Sequence, residues 1–470
     1  MNSDEFRKAG HRLIDWIADY RGGIESRPVM AQTSPGDIKA MLPAAPPQRP
    51  ESFHAIIADL DRVVLPGITT WQHPRFFGYF PSSGALSSVL GDYVSTGLGV
   101  VGLAWQSSPA LTEVEEVTTA WMRQMLGLSE AWSGVINDTA STSTLVALLC
   151  ARERTTNYGL ARGGLQEEER PLVVYVSSQS HSSVEKAALL AGFGKAHVRS
   201  VPLDAAYAMR ADALAEMVQD DILNGRRPCA VVATIGTTTT TAFDPLEALA
   251  RVTATHGLWL HVDAAMAGSA MILPECRWMW AGVEQADSLI VNAHKWLGAV
   301  FDCTLYFVRD PEHLVRVMST NPSYLQSAAD GRVKNYRDWG LPLGRRFRAL
   351  KLWFLIREQG VEGLQARLRR DMANAKWLEE QITATPHWRV LAPVPLQTLC
   401  IRHEPGGTVD EALDRYTLAW AARLNQSGEA YVTPAMLDGR WMVRVSIGAE
   451  LTEREHVEQL WMLMRAIVSM

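Results

Sequence analysis

The run Ser288-Leu-Ile-Val-Asn-Ala-His-Lys-Trp296 closes an apolar stretch with Asn292, His294 and Lys295. A lysine amine attacks a carbonyl only when unprotonated; its ordinary pKa is near ~10.4, and partial burial or a neighbouring cation lowers it. Lys295 in this setting suits Schiff-base chemistry. Upstream, Trp259-Leu-His-Val-Asp263 ends a second apolar run in a carboxylate, followed by Ala264 and Ala265. An aspartate and a lysine, each closing an expected parallel strand, suit pyridoxal phosphate: the lysine carries the aldehyde, the aspartate keeps the ring nitrogen protonated, and the ring becomes an electron sink. Taken singly, such an aspartate more often caps a helix and such a lysine more often sits in solvated loop. Their pairing and order point to the cofactor.

Other residues supply the remaining corners. The stretch 135–141 leads through small hydroxyl residues into a helix expected over 144–152, and N–H groups at a helix start hold phosphate. An apolar strand over 171–177 is followed by His181, at a strand-to-helix turn where its ring can stack on a cofactor. A third strand, 229–236, runs into Thr237, Thr238, Thr239, Thr240 and Thr241, whose hydroxyls can bond a phenolic oxygen or satisfy the loop itself. The segment 71–81 is dense in aromatics and broken by two prolines; Trp71, Tyr79 and Phe80 are candidates to line a pocket, and Phe76 and Phe77 to fill core.

The elements that must position these side chains alternate. Strand, loop and helix recur from 135 to 308, with a helix over 245–256, a pattern that argues for an α/β layer with a mainly parallel sheet and a site at its strand ends. Before it lie an amphipathic helix over 4–20, capped by Ser3 or Asp4, a proline-rich connection and a second helix over 53–64. A helix over 111–126 follows the aromatic segment. The stretch 319–339 lacks periodicity and reads as a long loop of the kind that serves as a lid. Helices over 348–359, 364–383 and 409–425, strands over 388–391, 397–402 and 441–446, and a final helix from 452 make a small α+β domain.

With 470 residues and 47% hydrophobic content the chain supports a large core and more than one domain. A net charge of -6 without long charge runs provides no field for nucleic acid or anionic lipid. Five scattered cysteines imply neither a disulfide framework nor a metal cluster, and fit a reducing cytoplasm. The first residues lack the apolar core of a signal peptide, and no segment is apolar for long enough to span a bilayer.

In order and spacing, these residues resemble the pyridoxal-phosphate-dependent group II decarboxylases, and within them the bacterial aromatic L-amino acid (DOPA, tryptophan, tyrosine) decarboxylases. The likeness covers nearly the whole chain: Trp71 with Tyr79-Phe80-Pro81, Trp105 with Ser108-Pro109-Ala110, Ala140-Ser141, His181-Ser182-Ser183, Gly236-Thr237-Thr238, His261-Val262-Asp263-Ala264-Ala265, His294-Lys295-Trp296 and Pro342-Leu343-Gly344-Arg345-Arg346. The resemblance implies the aspartate-aminotransferase-like fold (fold type I), with an N-terminal helical segment (1–77) exchanged across a homodimer, a large α/β domain (78–352) that binds the cofactor, and a small C-terminal α+β domain (353–470).

It further implies that Lys295 carries the cofactor, Asp263 pairs with the pyridine nitrogen, and His181 and Ala265 cover the two ring faces. Ala140, Ser141 and Asn292 would hold the phosphate region, Thr238 would lie near the ring oxygen, and His294 would belong to the same cofactor site. Ser82 stands where the family contacts substrate, Val101 and Leu103 match positions supplied by the other subunit, and Tyr324 on the long loop would donate a proton to the substrate carbon after carbon dioxide leaves. The chain departs from the family at Ala293, commonly proline, at Met266, often a bulky aromatic, and at Leu103, aromatic in animal relatives. The implied reaction is decarboxylation of an aromatic L-amino acid, DOPA first, with tryptophan, tyrosine or phenylalanine as further substrates and Gln397 in a region that tunes phenol against indole. The rivals are an aromatic aldehyde synthase, which admits dioxygen to the same site, and a non-catalytic relative that keeps only the fold.

Overall fold

A computed structural model describes residues 1–81, 84–320, 331–407 and 410–469. The chain divides into two compact units, one of residues 82–373 with 392–399, the other of 1–81 with 374–391 and 400–470.

The first of these units is built on seven strands: β1 (Ser133–Asn137), β2 (Leu172–Ser177), β3 (Val198–Val201), β4 (Arg227–Thr234), β5 (Trp259–Asp263), β6 (Ser288–Asn292) and β7 (Thr304–Val308). They lie in the order β1-β7-β6-β5-β4-β2-β3. The neighbours from β6 to β3 are parallel, while β7 runs antiparallel to both β6 and β1. Helices cover the faces, so β2, β5, β6 and β7 are buried at every residue and read as continuous apolar runs without alternation. Val146, Ala147, Cys150 and Ala151 of the helix Ala140–Thr155 pack into one core with Val174, Val232, Ile290 and Tyr306. This is the mainly parallel α/β layer that the alternation predicts, in the fold-type-I form that the family resemblance implies. All five cysteines are buried, and no disulfide links any of them among the described residues.

The other unit holds the helix Ser3–Gly22, capped by Asn2 and not by Ser3 or Asp4: the Asn2 side chain accepts from the N–H groups of Asp4 and Glu5, and Glu5 closes a capping box. The expected second helix is split into Phe53–Asp59 and a π-turn, Leu60–Val64. A four-stranded sheet has the order β10-β11-β9-β8, with β8 Trp388–Val390, β9 Thr398–His403, β10 Thr433–Leu437 and β11 Arg440–Ser446. Phe76 and Phe77 are fully buried here, as core-filling residues should be.

Sequence periodicity misses several elements, among them the short helices Asp37–Met41 and Pro311–Met318. The helix Leu86–Leu98 contains Gly91 and several Ser and Thr residues, poor helix formers; tertiary packing sets it, since a Cβ on Gly91 would lie 2.6 Å from the Leu350 carbonyl oxygen. The helix Ala211–Leu223 and the strands β3 and β10 go unread too, both strands being short and largely half-exposed. The helices expected over 348–359 and 364–383 form one run, Ala349–Ala384, broken at Gly360 by a positive φ of 64°. No described helix is long and apolar enough to cross a membrane.

Candidate active site

Because β2, β4, β5 and β6 are parallel, their C-terminal residues Ser177, Thr234, Asp263 and Asn292 lie along one edge of the sheet. The short connections that follow each strand therefore deliver His181, Thr238, Ala265 and Lys295 to that edge. β1 has the same direction as β6 because both are antiparallel to β7; Asn137 and Asn292 are each paired with Thr304. This row brings the start of the helix Ala140–Thr155 alongside the lysine connection.

Asp263 is buried, and its Oδ1 accepts the Ala265 N–H at 3.0 Å, which fixes the carboxylate plane. Asn292 is held from two sides: its N–H donates to the Ala265 carbonyl, and its Oδ1 lies 2.9 Å from Thr304 Oγ1. Thr304 Oγ1 is also 3.2 Å from the Asp138 carbonyl, so one hydroxyl ties the lysine strand to the approach of the Ala140 helix. Sequence reading passes over Thr304, because only antiparallel register puts it between those two segments.

His181 is the N-cap of the helix Ser182–Leu190, and its Nδ1 accepts the Ser183 N–H. A neutral ring so used carries its proton on Nε2. Its pKa is lowered, first by burial of the ring and then by the Lys295 ammonium, while Asp263 pulls it upward. The two charges act in opposite directions on one imidazole, and the parallel strands bring His181, Asp263 and Lys295 to the same edge. His294 accepts the Cys303 N–H on Nδ1 at 2.9 Å and is pushed down to about 4 by burial and by Lys295. Thr237, buried, spends its hydroxyl within the loop on Thr240 and on the Ala242 N–H, whereas Thr238 is only half-buried. Gly236 opens that turn with φ +81°, and a Cβ there would stand 2.5 Å from that of Ala267.

Behind Asp263, His261 is fully buried with Nδ1 2.8 Å from Ser288 Oγ, and burial pushes it down to about 4. The unfolded chain takes up this proton near pH ~6.5 and the folded chain does not, so His261 costs no stability above that pH and progressively more as pH falls toward 4. Each unit of the shift weighs about 1.4 kcal/mol. We expect the His261→Gln variant to lose less unfolding free energy than the unsubstituted chain between pH 7 and 4.5, as read by urea melts at both values; equal losses would contradict the assignment.

Val101 is exposed and Leu103 half-buried in this unit. Trp71, Tyr79 and Phe80 belong to the other unit, where Trp71 stacks on Tyr79 at 5.3 Å and Arg444 lies over Phe80. Two expected site residues, Ser82 and Tyr324, lie outside the described residues. Gln397, expected to tune specificity, is buried with Nε2 3.1 Å from Met266 Sδ, so these two positions form one contact.

The donors fit pyridoxal phosphate: a fixed carboxylate, an amine and a capped imidazole share one edge with the N-terminus of a 16-residue helix beginning at Ala140. Comparison with known proteins agrees. Residues 35–404 match the model of the pyridoxal-dependent decarboxylase conserved domain. The chain is 38% identical to phenylacetaldehyde synthase of Arabidopsis thaliana, with 99% of this chain and 95% of that protein covered, and 39% identical to aromatic-L-amino-acid decarboxylase of Bos taurus, with 98% and 95% covered. A crystal structure of Oryza sativa TDC with PLP and tryptamine superposes with a TM-score of 0.97 at 37% identity, covering 100% of this chain and 98% of that one. These relatives are plant and animal proteins and lend no support to the narrower bacterial grouping. With its fold and most of its length accounted for, the chain belongs to the pyridoxal-dependent decarboxylase family and uses pyridoxal phosphate.

Proposed function

We propose that this protein removes the carboxylate of an aromatic L-amino acid, DOPA before tryptophan, tyrosine or phenylalanine, as carbon dioxide and releases the amine. The observation that carries the reading is the convergence of Asp263, His181 and Lys295 on one sheet edge. When bound, the cofactor supplies an electron-poor ring that accepts the electrons of the broken bond. The chain's own groups do the rest. Lys295 would hold the aldehyde end of the cofactor until the substrate amine arrives. Asp263, fixed by the Ala265 N–H, keeps a proton on the ring nitrogen. His181 would cover one ring face and, with Nδ1 occupied, offer its Nε2 proton as donor, and Ala265 would cover the other face. Ala140, Ser141 and Asn292 would hold the phosphate region, Thr238 would lie near the ring oxygen, and His294 would belong to the same cofactor site.

Trp71, Tyr79, Phe80, Ser82, Val101 and Leu103 are assigned to the substrate side chain, and Tyr324 to delivery of a proton to the alpha carbon. The working form in this reading is a homodimer in a reducing, cytoplasmic setting. Support comes from the helix Leu86–Leu98, whose Leu86, Leu90, Tyr93, Val94 and Leu98 form an exposed apolar stripe at helical spacing. Light scattering should return twice the 52.0 kDa chain mass; a single chain mass at micromolar concentration would overturn the dimer.

The deciding experiment supplies DOPA, tyrosine, tryptophan, phenylalanine and glutamate separately and records amine, aldehyde and hydrogen peroxide. Amine without matching peroxide is expected, with DOPA fastest. Aldehyde with stoichiometric peroxide would replace this reading by the synthase that the Arabidopsis relative exemplifies, and no product with any substrate would leave a non-catalytic member.

A further inference from the structure

Among the described residues β1 is an edge strand, paired with β7 alone. The backbone groups on its open edge would be left unbonded, yet side chains take them. Glu115, fully buried in the helix Pro109–Met125, accepts the Ile136 N–H on Oε1 at 2.8 Å. Arg345, also buried, donates through Nη2 both to that Oε1 at 2.6 Å and to the Ile136 carbonyl at 2.7 Å. Two residues earlier on the same edge, the Gly134 carbonyl receives the Tyr336 hydroxyl, and the Arg345 guanidinium lies 4.9 Å from the Tyr336 ring centre. Both backbone groups of Ile136 are thus gripped by one ion pair.

A desolvated ion pair is a poor device for stability alone, because its Coulomb gain must first repay the loss of hydration. This one also leaves Glu115 Oε2 and Arg345 Nη1 without partners among the described residues. What it gives is position. From Ile136 the chain runs through Asn137, whose side chain donates to Ser143 Oγ, and Thr139, the N-cap, into the helix Ala140–Thr155. The Arg345 carbonyl in turn accepts the Gly102 N–H at 2.8 Å, between Val101 and Leu103.

We infer that Glu115 and Arg345 are positioning residues for the cofactor's phosphate: gripping Ile136, they set where the N–H groups of Ala140 and Ser141 stand. The inference rests on the assignment of those two residues to the phosphate. Neither side chain is required to touch the cofactor, so the effect must appear as a loss of phosphate recognition and not of ring binding.

The test titrates cofactor-free protein with pyridoxal phosphate and, separately, with pyridoxal, which lacks the phosphate. Glu115→Gln keeps the shape and drops the charge, and Arg345→Lys keeps the charge and loses the fork that serves two acceptors. Each is expected to cut the preference for pyridoxal phosphate over pyridoxal by roughly tenfold or more, as small misplacements in preorganised sites do, with pyridoxal affinity unchanged. If both affinities fall together, or the preference stays whole while only the melting temperature drops, the pair is merely structural. Should Arg345→Lys fail to fold, Glu115→Gln decides by the same ratio. An unsubstituted chain that shows no preference for the phosphate would overturn the phosphate assignment itself, and the positioning role with it.

Discussion

Lys295→Ala should slow amine formation by ~10³-fold or more, because the substitution removes the amine to which the proposed function assigns the aldehyde, and three decades correspond to about 4 kcal/mol of barrier. The fold should persist: Lys295 is only partly buried, and its connection is anchored by backbone bonds from His294 to Cys303 and from Ala299 to Ala293. Borohydride treatment followed by peptide mass analysis should find the cofactor attached to the unsubstituted chain at Lys295 and nowhere in the variant. A charge readout accompanies the rate. Since the ammonium depresses both His181 and His294, its loss should raise both titrations. Activity within tenfold of the unsubstituted chain would remove Lys295 from the mechanism.

Asp263→Asn should lower kcat by ~10²–10³-fold with a small change in KM, a size comparable to removing one preorganised electrostatic contact. The carboxamide oxygen can still accept the Ala265 N–H, so the strand end keeps its shape while the negative charge disappears. Here His181 moves the other way. Asp263 holds its pKa up, and the variant should titrate lower, opposite to the Lys295 variant. A pair of proton NMR titrations of His181 thus reports whether the two charges flank one ring, independently of turnover. Shifts in the same direction for both variants, or none, would break the arrangement on which the proposed function rests.

The sequence by itself determined the layer and singled out the groups that the proposed function makes reactive. Lys295, Asp263 and His181 are each announced by an apolar run that ends in a polar residue, and that pattern survives because parallel strands buried on both faces admit almost nothing polar until they stop. The helices after β1 and β2 were legible from small hydroxyl residues, but their starts were not: the sequence pattern begins them at 144 and 184, and the structure at Ala140 and Ser182, with His181 as a cap. Only the tertiary structure decided what stands between these pieces. Thr304 bridges Asn292 and Asp138 because β7 runs antiparallel between two strands that are distant in sequence. Glu115 and Arg345 lie 230 positions apart and meet at the unpaired edge of β1. The helix Leu86–Leu98 forms despite its glycines because Gly91 lets the Leu350 carbonyl approach. Local chemistry is written in neighbouring residues; register, edge protection and close backbone approach arise between residues remote in the chain, so they emerge only once the sheet has closed around them.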